Sequence, residues 1–147
     1  MLSRTQTGCV FSTTGELLDN LEQMSELGTI SSEQEFSEVL RLPKAIMYFL
    51  VDWSGPERIS RPAIYRVISE INLNKTPFFK VDCSDQRQEY IMKWLTTQPR
   101  LFNDSYHGGW GETLLLKNGF IVDYIKYPGK LGLDKTRAII ENWVVFD

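Results

Sequence analysis

Ala45-Ile46-Met47-Tyr48-Phe49-Leu50-Val51, running into Asp52-Trp53-Ser54-Gly55-Pro56-Glu57-Arg58, is the stretch on which the fold turns. Seven apolar residues in succession lack the alternation of a half-solvated strand and read as a strand covered on both faces, hence central in its sheet. Gly55-Pro56 ends that run and opens a long helix through Ile59, Ile64, Val67, Ile68 and Ile71, with Pro62 inside it as an expected kink. Upstream, Ser32-x-x-Glu35 opens a helix through Phe36, Val39 and Leu40 that Pro43 stops, and Leu27 to Ile30 is a brief strand candidate. Further back, Thr13-x-x-Glu16 has capping-box spacing, and Leu17, Leu18, Leu21, Met24 and Leu27 follow on one helical face, predicting an amphipathic helix over about 14–26. Residues 1–12 are polar and without period.

Downstream, Pro77 to Asp82 reads as a strand, followed by a helix near 86–96 carrying Tyr90, Ile91, Trp94 and Leu95. A Gly-rich loop with Pro99, His107, Gly108, Gly109 and Gly111 comes next. Glu112 to Leu116, the dipeptide Asn118-Gly119, and Phe120 to Ile125 make a β-hairpin, and a last helix from Leu133 or Asp134 carries Ile139, Ile140, Trp143 and Val144. Parallel crossovers first and an antiparallel hairpin last predict an α/β domain: a central mixed β-sheet flanked by helices, with an extra N-terminal helix. The chain divides into a tail and amphipathic helix, 1–26, and one domain, 27–147.

Composition narrows the function classes. The 147 residues carry 16 Lys+Arg against 19 Asp+Glu, a net charge of −3, with 42% apolar and 12% aromatic residues, enough for one buried core. Residues 1–31 hold Arg4 against Glu16, Asp19, Glu22 and Glu26, so the acidic excess sits in the head and the body is neutral. Interspersed signs argue against nucleic acid, which needs clustered Lys/Arg. No apolar run approaches the roughly 20 residues of a membrane span, and the amino terminus shows no apolar signal segment, so the expected compartment is cytoplasmic, with no membrane partner. Cys9 and Cys83 lie far apart and His107 is the single histidine, so no metal-ligand spacing can be written and no cofactor is expected.

Trp53-Ser54-Gly55-Pro56-Glu57-Arg58, with Pro62 four residues on, resembles the thioredoxin active-site segment W-C-G-P-C-K-x-x-x-P. Phe79-Lys80-Val81-Asp82 and Thr113 to Gly119 resemble the family's third strand and its T-L-L-L-F-K-N-G hairpin. The resemblance covers about residues 27–146 and implies a thioredoxin-like fold. It also exposes three departures. Ser54 and Glu57 stand where the family has the two cysteines that attack and resolve a disulfide, so dithiol chemistry is not expected. Tyr48 stands where the family keeps a buried acid. The family's cis-proline, whose neighbourhood presents backbone to an extended substrate peptide, aligns with Gly111, or with Glu112 if one residue is skipped.

Plainer readings accompany each candidate. Ser54-x-x-Glu57 is itself a capping-box pattern, and Glu57 can pair with Arg61 at i+4 as a surface interaction. A serine nucleophile at Ser54 would need a base that nothing nearby in sequence supplies. His107, in Tyr106-His107-Gly108-Gly109-Trp110-Gly111, reads more simply as structural or exposed than as catalytic. Arg58, Arg61 and Arg66 read as a solvated helix face. The loop is about a dozen residues longer than the family needs, and long aromatic loops beside a site commonly bind. The expected function is therefore a redox-inactive thioredoxin-like protein that binds a protein or peptide, as a chaperone-like or adaptor module. Its binding residues are Trp53, Ser54, Gly55, Pro56, Glu57, Tyr106, His107, Trp110 and Gly111, with no catalytic residue and no metal. Trp53, Tyr106 and Trp110 are expected in one partly exposed patch. The alternatives are an enzyme using non-thiol groups on the same fold, or an immunity- or inhibitor-type binding protein.

Overall fold

The computed structural model describes residues 28–84, 89–98 and 109–145. Its elements in chain order are β1 (Thr29–Ile30), α1 (Glu33–Leu40), β2 (Lys44–Leu50), α2 (Gly55–Glu70), β3 (Phe78–Asp82), α3 (Glu89–Leu95), β4 (Thr113–Lys117), β5 (Phe120–Ile125), α4 (Pro128–Leu131) and α5 (Leu133–Val145). The amphipathic segment expected over 14–26, Tyr106 and His107 lie outside the described residues.

The strands form one sheet in the order β1-β3-β2-β4-β5. β3 pairs in parallel with β1 and β2, while β4 pairs antiparallel with β2 and β5. β2 is therefore the centre, as its unbroken apolar run predicts, and its alternating side chains feed two cores. Ala45, Met47 and Phe49 join Phe36, Val39, Ile91 and Leu95 from α1 and α3. Ile46 and Tyr48 join Ile64, Val67, Ile68, Ile140 and Val144 from α2 and α5. A strand with helices on both sides has no solvated face on which to alternate polar residues.

Local chemistry accounts for the element ends. Ser32 caps α1, its hydroxyl accepting from Glu35 N, and Glu35 reaches back to the Ser31 amide and hydroxyl. Asn118 and Gly119 both have positive φ, 51° and 82°, the type I′ geometry that matches strand twist in a two-residue hairpin. α2 is continuous through Pro62, whose side is exposed. The short α4 was not anticipated. Pro128 at its first turn was its sequence signal, and Gly129 lets its backbone lie against Ile59 and Ser60 of α2, where a Cβ would sit 2.8 Å from Ile59 Cγ2. No helix among the described residues is long and apolar enough to cross a membrane.

Candidate functional site

The turn from β2 into α2 places Trp53 and Gly55 outward and Ser54 and Glu57 inward. Trp53 is 68% exposed, whereas Ser54 is 7% and Glu57 0% exposed. The inward pair does not form the expected capping box. Ser54 occupies the N-cap position with extended backbone, yet its hydroxyl caps nothing and donates instead to the Gly109 carbonyl in a short contact. Glu57 turns under the helix. Its carboxylate accepts from the Tyr48 hydroxyl at 2.6 Å, from Val51 N at 3.2 Å, and from Arg61 through Nε at 2.9 Å and through Nη2.

Burial explains why that arrangement wins. A carboxylate without water needs several donors, and Tyr48 of β2 and Val51 just after it offer a hydroxyl and a free amide beneath the first turn of α2. Arg61 is thus no member of a solvated face, unlike exposed Arg58 and Arg66. Its guanidinium joins Glu57 to Asp52, 2.8 Å away. The Glu57 bonds, seconded by Asp52, hold the Arg61 guanidinium more firmly protonated than usual. Burial, reinforced by the hydrogen bond to Glu57, raises Tyr48 far above the ordinary phenol value. Tyr48 is therefore a permanent donor, not an acid.

The 109–111 segment closes over this turn. Ser60, buried on α2, donates to the Trp110 carbonyl at 2.7 Å and accepts from Gly129 N at 2.9 Å. Trp110 N donates to Glu112 Oε1 at 3.3 Å. Gly111 has φ +78°, and a Cβ there would fall on Ser60 and 2.9 Å from the Tyr48 hydroxyl. Gly109, also at φ +78°, would bring a Cβ 2.9 Å from Ser54 Oγ. Close backbone approach in left-handed conformations explains both glycines. No cis peptide occurs among the described residues, and Gly111, one of the two positions that align with the family's cis-proline, is a left-handed glycine.

Of the expected aromatic patch, Trp53 is exposed, with its indole N–H donating to the Ser84 carbonyl at 3.2 Å. The ring of half-exposed Trp110 meets Tyr127 edge-on at 4.7 Å, with Lys126 Nζ 5.4 Å from its centroid. Tyr106 and His107 lie outside the described residues. Sequence reading missed Ser60 and Tyr48 as partners, and it took the Glu57–Arg61 pair, which does form, for a surface interaction. A signal existed, since Glu57, Ser60, Ile64, Val67 and Ile68 follow helical spacing on one buried stripe. Cys83, half-buried just after β3, has its thiol pKa pushed up to about 12, by burial first and then by Glu112 and Asp82. The described residues contain no group of three or more His, Cys, Asp or Glu placed to hold a metal ion.

Comparison with protein-family models and with curated proteins finds no match. Solved structures do match. A thioredoxin from Malassezia sympodialis is similar over 79% of this chain and 89% of its own, with a TM-score of 0.59 and 22% identity. A putative oxidoreductase with a thioredoxin fold covers 80% of this chain and 97% of its own, at 0.57 and 13%. Thioredoxin f2 of Chlamydomonas reinhardtii covers 78% and 93%, at 0.55 and 17%. The chain has a thioredoxin-like fold. At these identities the likeness concerns the fold alone, and the chemistry at positions 54 and 57 is this chain's own.

Proposed function

We propose that this thioredoxin-like chain is a redox-inactive binding module that holds a protein or peptide on the surface around the Trp53–Glu57 turn and the segment ending at Trp110 and Gly111. The single observation that carries the reading is the bond from the buried Ser54 hydroxyl to the Gly109 carbonyl. The atom at the nucleophile position is spent inside the protein, and the adjoining Glu57 carboxylate is spent on Tyr48, Val51 and Arg61. Neither group faces an incoming substrate. What does face outward is Trp53, with Gly55 beside it, and exposed tryptophans are frequent anchors of protein contacts. Ser54 and Glu57 contribute from beneath, by fixing the turn that presents Trp53. An enzyme using other groups draws no comparable support, because the described residues bring no base to Ser54.

The test is insulin disulfide reduction by the full chain with dithiothreitol as electron donor. Turnover no higher than a thiol-free control is the expected result, and turnover that Cys83→Ser abolishes would overturn the reading. Trp53→Ala should weaken capture of an unfolded model protein by roughly 1–4 kcal/mol. The thermal midpoint should move little, because that indole is largely solvated.

A further inference from the structure

β5 is the last strand of the sheet, so one side of its backbone has no strand partner among the described residues. The ladder fixes which groups face that side. Phe49 N donates to the Glu112 carbonyl between β2 and β4, and antiparallel residues alternate between bonded and non-bonded pairs. Leu114 and Leu116 therefore turn their backbone groups to β2. Thr113, Leu115 and Lys117 turn theirs to β5, where they meet Ile125, Asp123 and Phe120. Ile121 and Tyr124, opposite Leu116 and Leu114, point their amides away from β4.

Both outward amides are taken, and by side chains. Ile121 N donates to Gln98 Oε1 at 2.9 Å, and Tyr124 N to Asp123 Oδ1 at 2.9 Å. Gln98 is itself fixed: it is 7% exposed just past the end of α3, its amide donates to the Leu95 carbonyl, and its Nε2 donates to Thr97 Oγ1 at 3.3 Å. Asp123 adds an exposed charge to the same edge. Between the two amides the register shifts, which leaves Val122 as an extra residue. That bulge sends Ile121 into the core with α1 and α3 and Ile125 into the core with α2 and α5, although residues four apart in a regular strand share a face.

The strand needs such cover. Phe120-Ile121-Val122-Asp123-Tyr124-Ile125 has five apolar or aromatic residues in six, no proline and a single charge, the composition of a segment that pairs with copies of itself. Phe120 is also 57% exposed. The opposite edge is closed by brevity, since β1 has two residues. We propose that Gln98 and Asp123 are edge guards, which by occupying the outward amides of Ile121 and Tyr124 keep β5 from pairing with β5 of a second copy of this chain. Two such strands related by a two-fold axis run antiparallel, so one guarded edge is all that stands between the monomer and a continuous sheet. The inference is independent of the reading of the Trp53 surface.

Amide hydrogen exchange on the full chain reads the guards, and sedimentation velocity over about 1–100 μM reads what they prevent. In the unmodified chain the Ile121 and Tyr124 amides should exchange slowly although both lie on an edge. At the dilute end, Gln98→Met should speed Ile121 and Asp123→Ala should speed Tyr124, each by roughly tenfold or more. The double variant should form a concentration-dependent dimer that the unmodified chain does not form. Adding Tyr124→Pro should abolish it, because that residue gives β4 no N–H. Fast exchange of both amides in the unmodified chain overturns the inference. So does a double variant that is less stable yet sediments as the unmodified chain does, which would leave Gln98 as the partner of one buried amide and nothing more. Should Gln98→Met fail to fold, Asp123→Ala, at an exposed side chain, decides alone: Tyr124 exchange that it leaves unmoved refutes the guard.

Discussion

Arg61→Met tests whether the Glu57 cluster is the keystone of the turn. The substitution keeps most of the aliphatic stem and removes the cation, leaving a carboxylate with no solvent exposure among neutral donors, Tyr48 and Val51 N. Removing one partner of a buried pair typically costs about 3–5 kcal/mol. Here the Arg61 side chain is 28% exposed, so water already screens part of the interaction and about 2–4 kcal/mol is expected. Glu57→Met should cost less, about 1–3 kcal/mol for orphaning Val51 N. Tyr48 then still has the Glu57 backbone carbonyl 3.3 Å away, and Arg61 keeps Asp52. The double variant should be markedly less damaged than the sum of the two, with a coupling of about 1–3 kcal/mol. Urea unfolding at 25 °C measures all three. With a slope near 2 kcal/mol/M, Arg61→Met shifts the midpoint down by about 1–2 M. Single effects that add to within about 0.5 kcal/mol, or a costlier Glu57→Met, would refute the reasoning.

Three shorter predictions follow from other buried atoms. Thr136 is fully buried and its hydroxyl has no hydrogen-bond partner among the described residues, so Thr136→Val, equal in shape, should stabilise the fold by about 1 kcal/mol in the same titration; a loss would show the hydroxyl to be satisfied. Gly111→Ala combines a left-handed residue with a collision against Ser60 and should cost about 2 kcal/mol or more, read as a lower thermal midpoint. Cys83, in a Cys9→Ser background, should alkylate on the order of 10³ times more slowly at pH 8 than a free thiol, because a pKa of about 12 leaves few thiolates. Since that value is raised above the unfolded one, its share of stability is complete below about pH 9 and is lost as pH climbs towards 12. Alkylation at the free-thiol rate would place Cys83 in water.

How much of this was legible depends on what each feature rests on. The order of strands and helices rests on hydrophobic period and turn chemistry, both local, and β2, α1, the Asn118-Gly119 turn and the start of α5 at Leu133 follow from them directly. Two strand starts moved inward: β3 begins at Phe78 rather than Pro77, and β4 at Thr113 rather than Glu112, whose side chain turns back to Trp110 N. α4 escaped notice because four residues are too few for a period. Trp53 is exposed, as the sequence reading of the turn expects. The direction of Trp110 was not legible, since it depends on Tyr127 and Lys126, which are distant in sequence from the turn.

The site itself was misread for one physical reason. Read along the chain, Tyr48 and Glu57 are two separate losses relative to the thioredoxin pattern, an acid missing from the strand and a thiol missing from the helix. In space they are one contact, 2.6 Å long. Against the pattern the resemblance implies, this chain carries its buried acid on α2, and β2 supplies the hydroxyl that donates to it. Each substitution alone would leave a polar group buried without its partner, at a cost of about 1–3 kcal/mol. Together they satisfy one another, and Arg61 neutralises the charge. Ser54 follows the same logic, its hydroxyl meeting a carbonyl brought within reach by a left-handed glycine. Converting Ser54 and Glu57 to cysteine would therefore remove the carboxylate that Tyr48, Val51 N and Arg61 share, while Tyr48 keeps the position-57 backbone carbonyl and Arg61 keeps Asp52. A dithiol grafted onto this turn should still fold, at a loss of about 1–3 kcal/mol that comes chiefly from orphaning Val51 N.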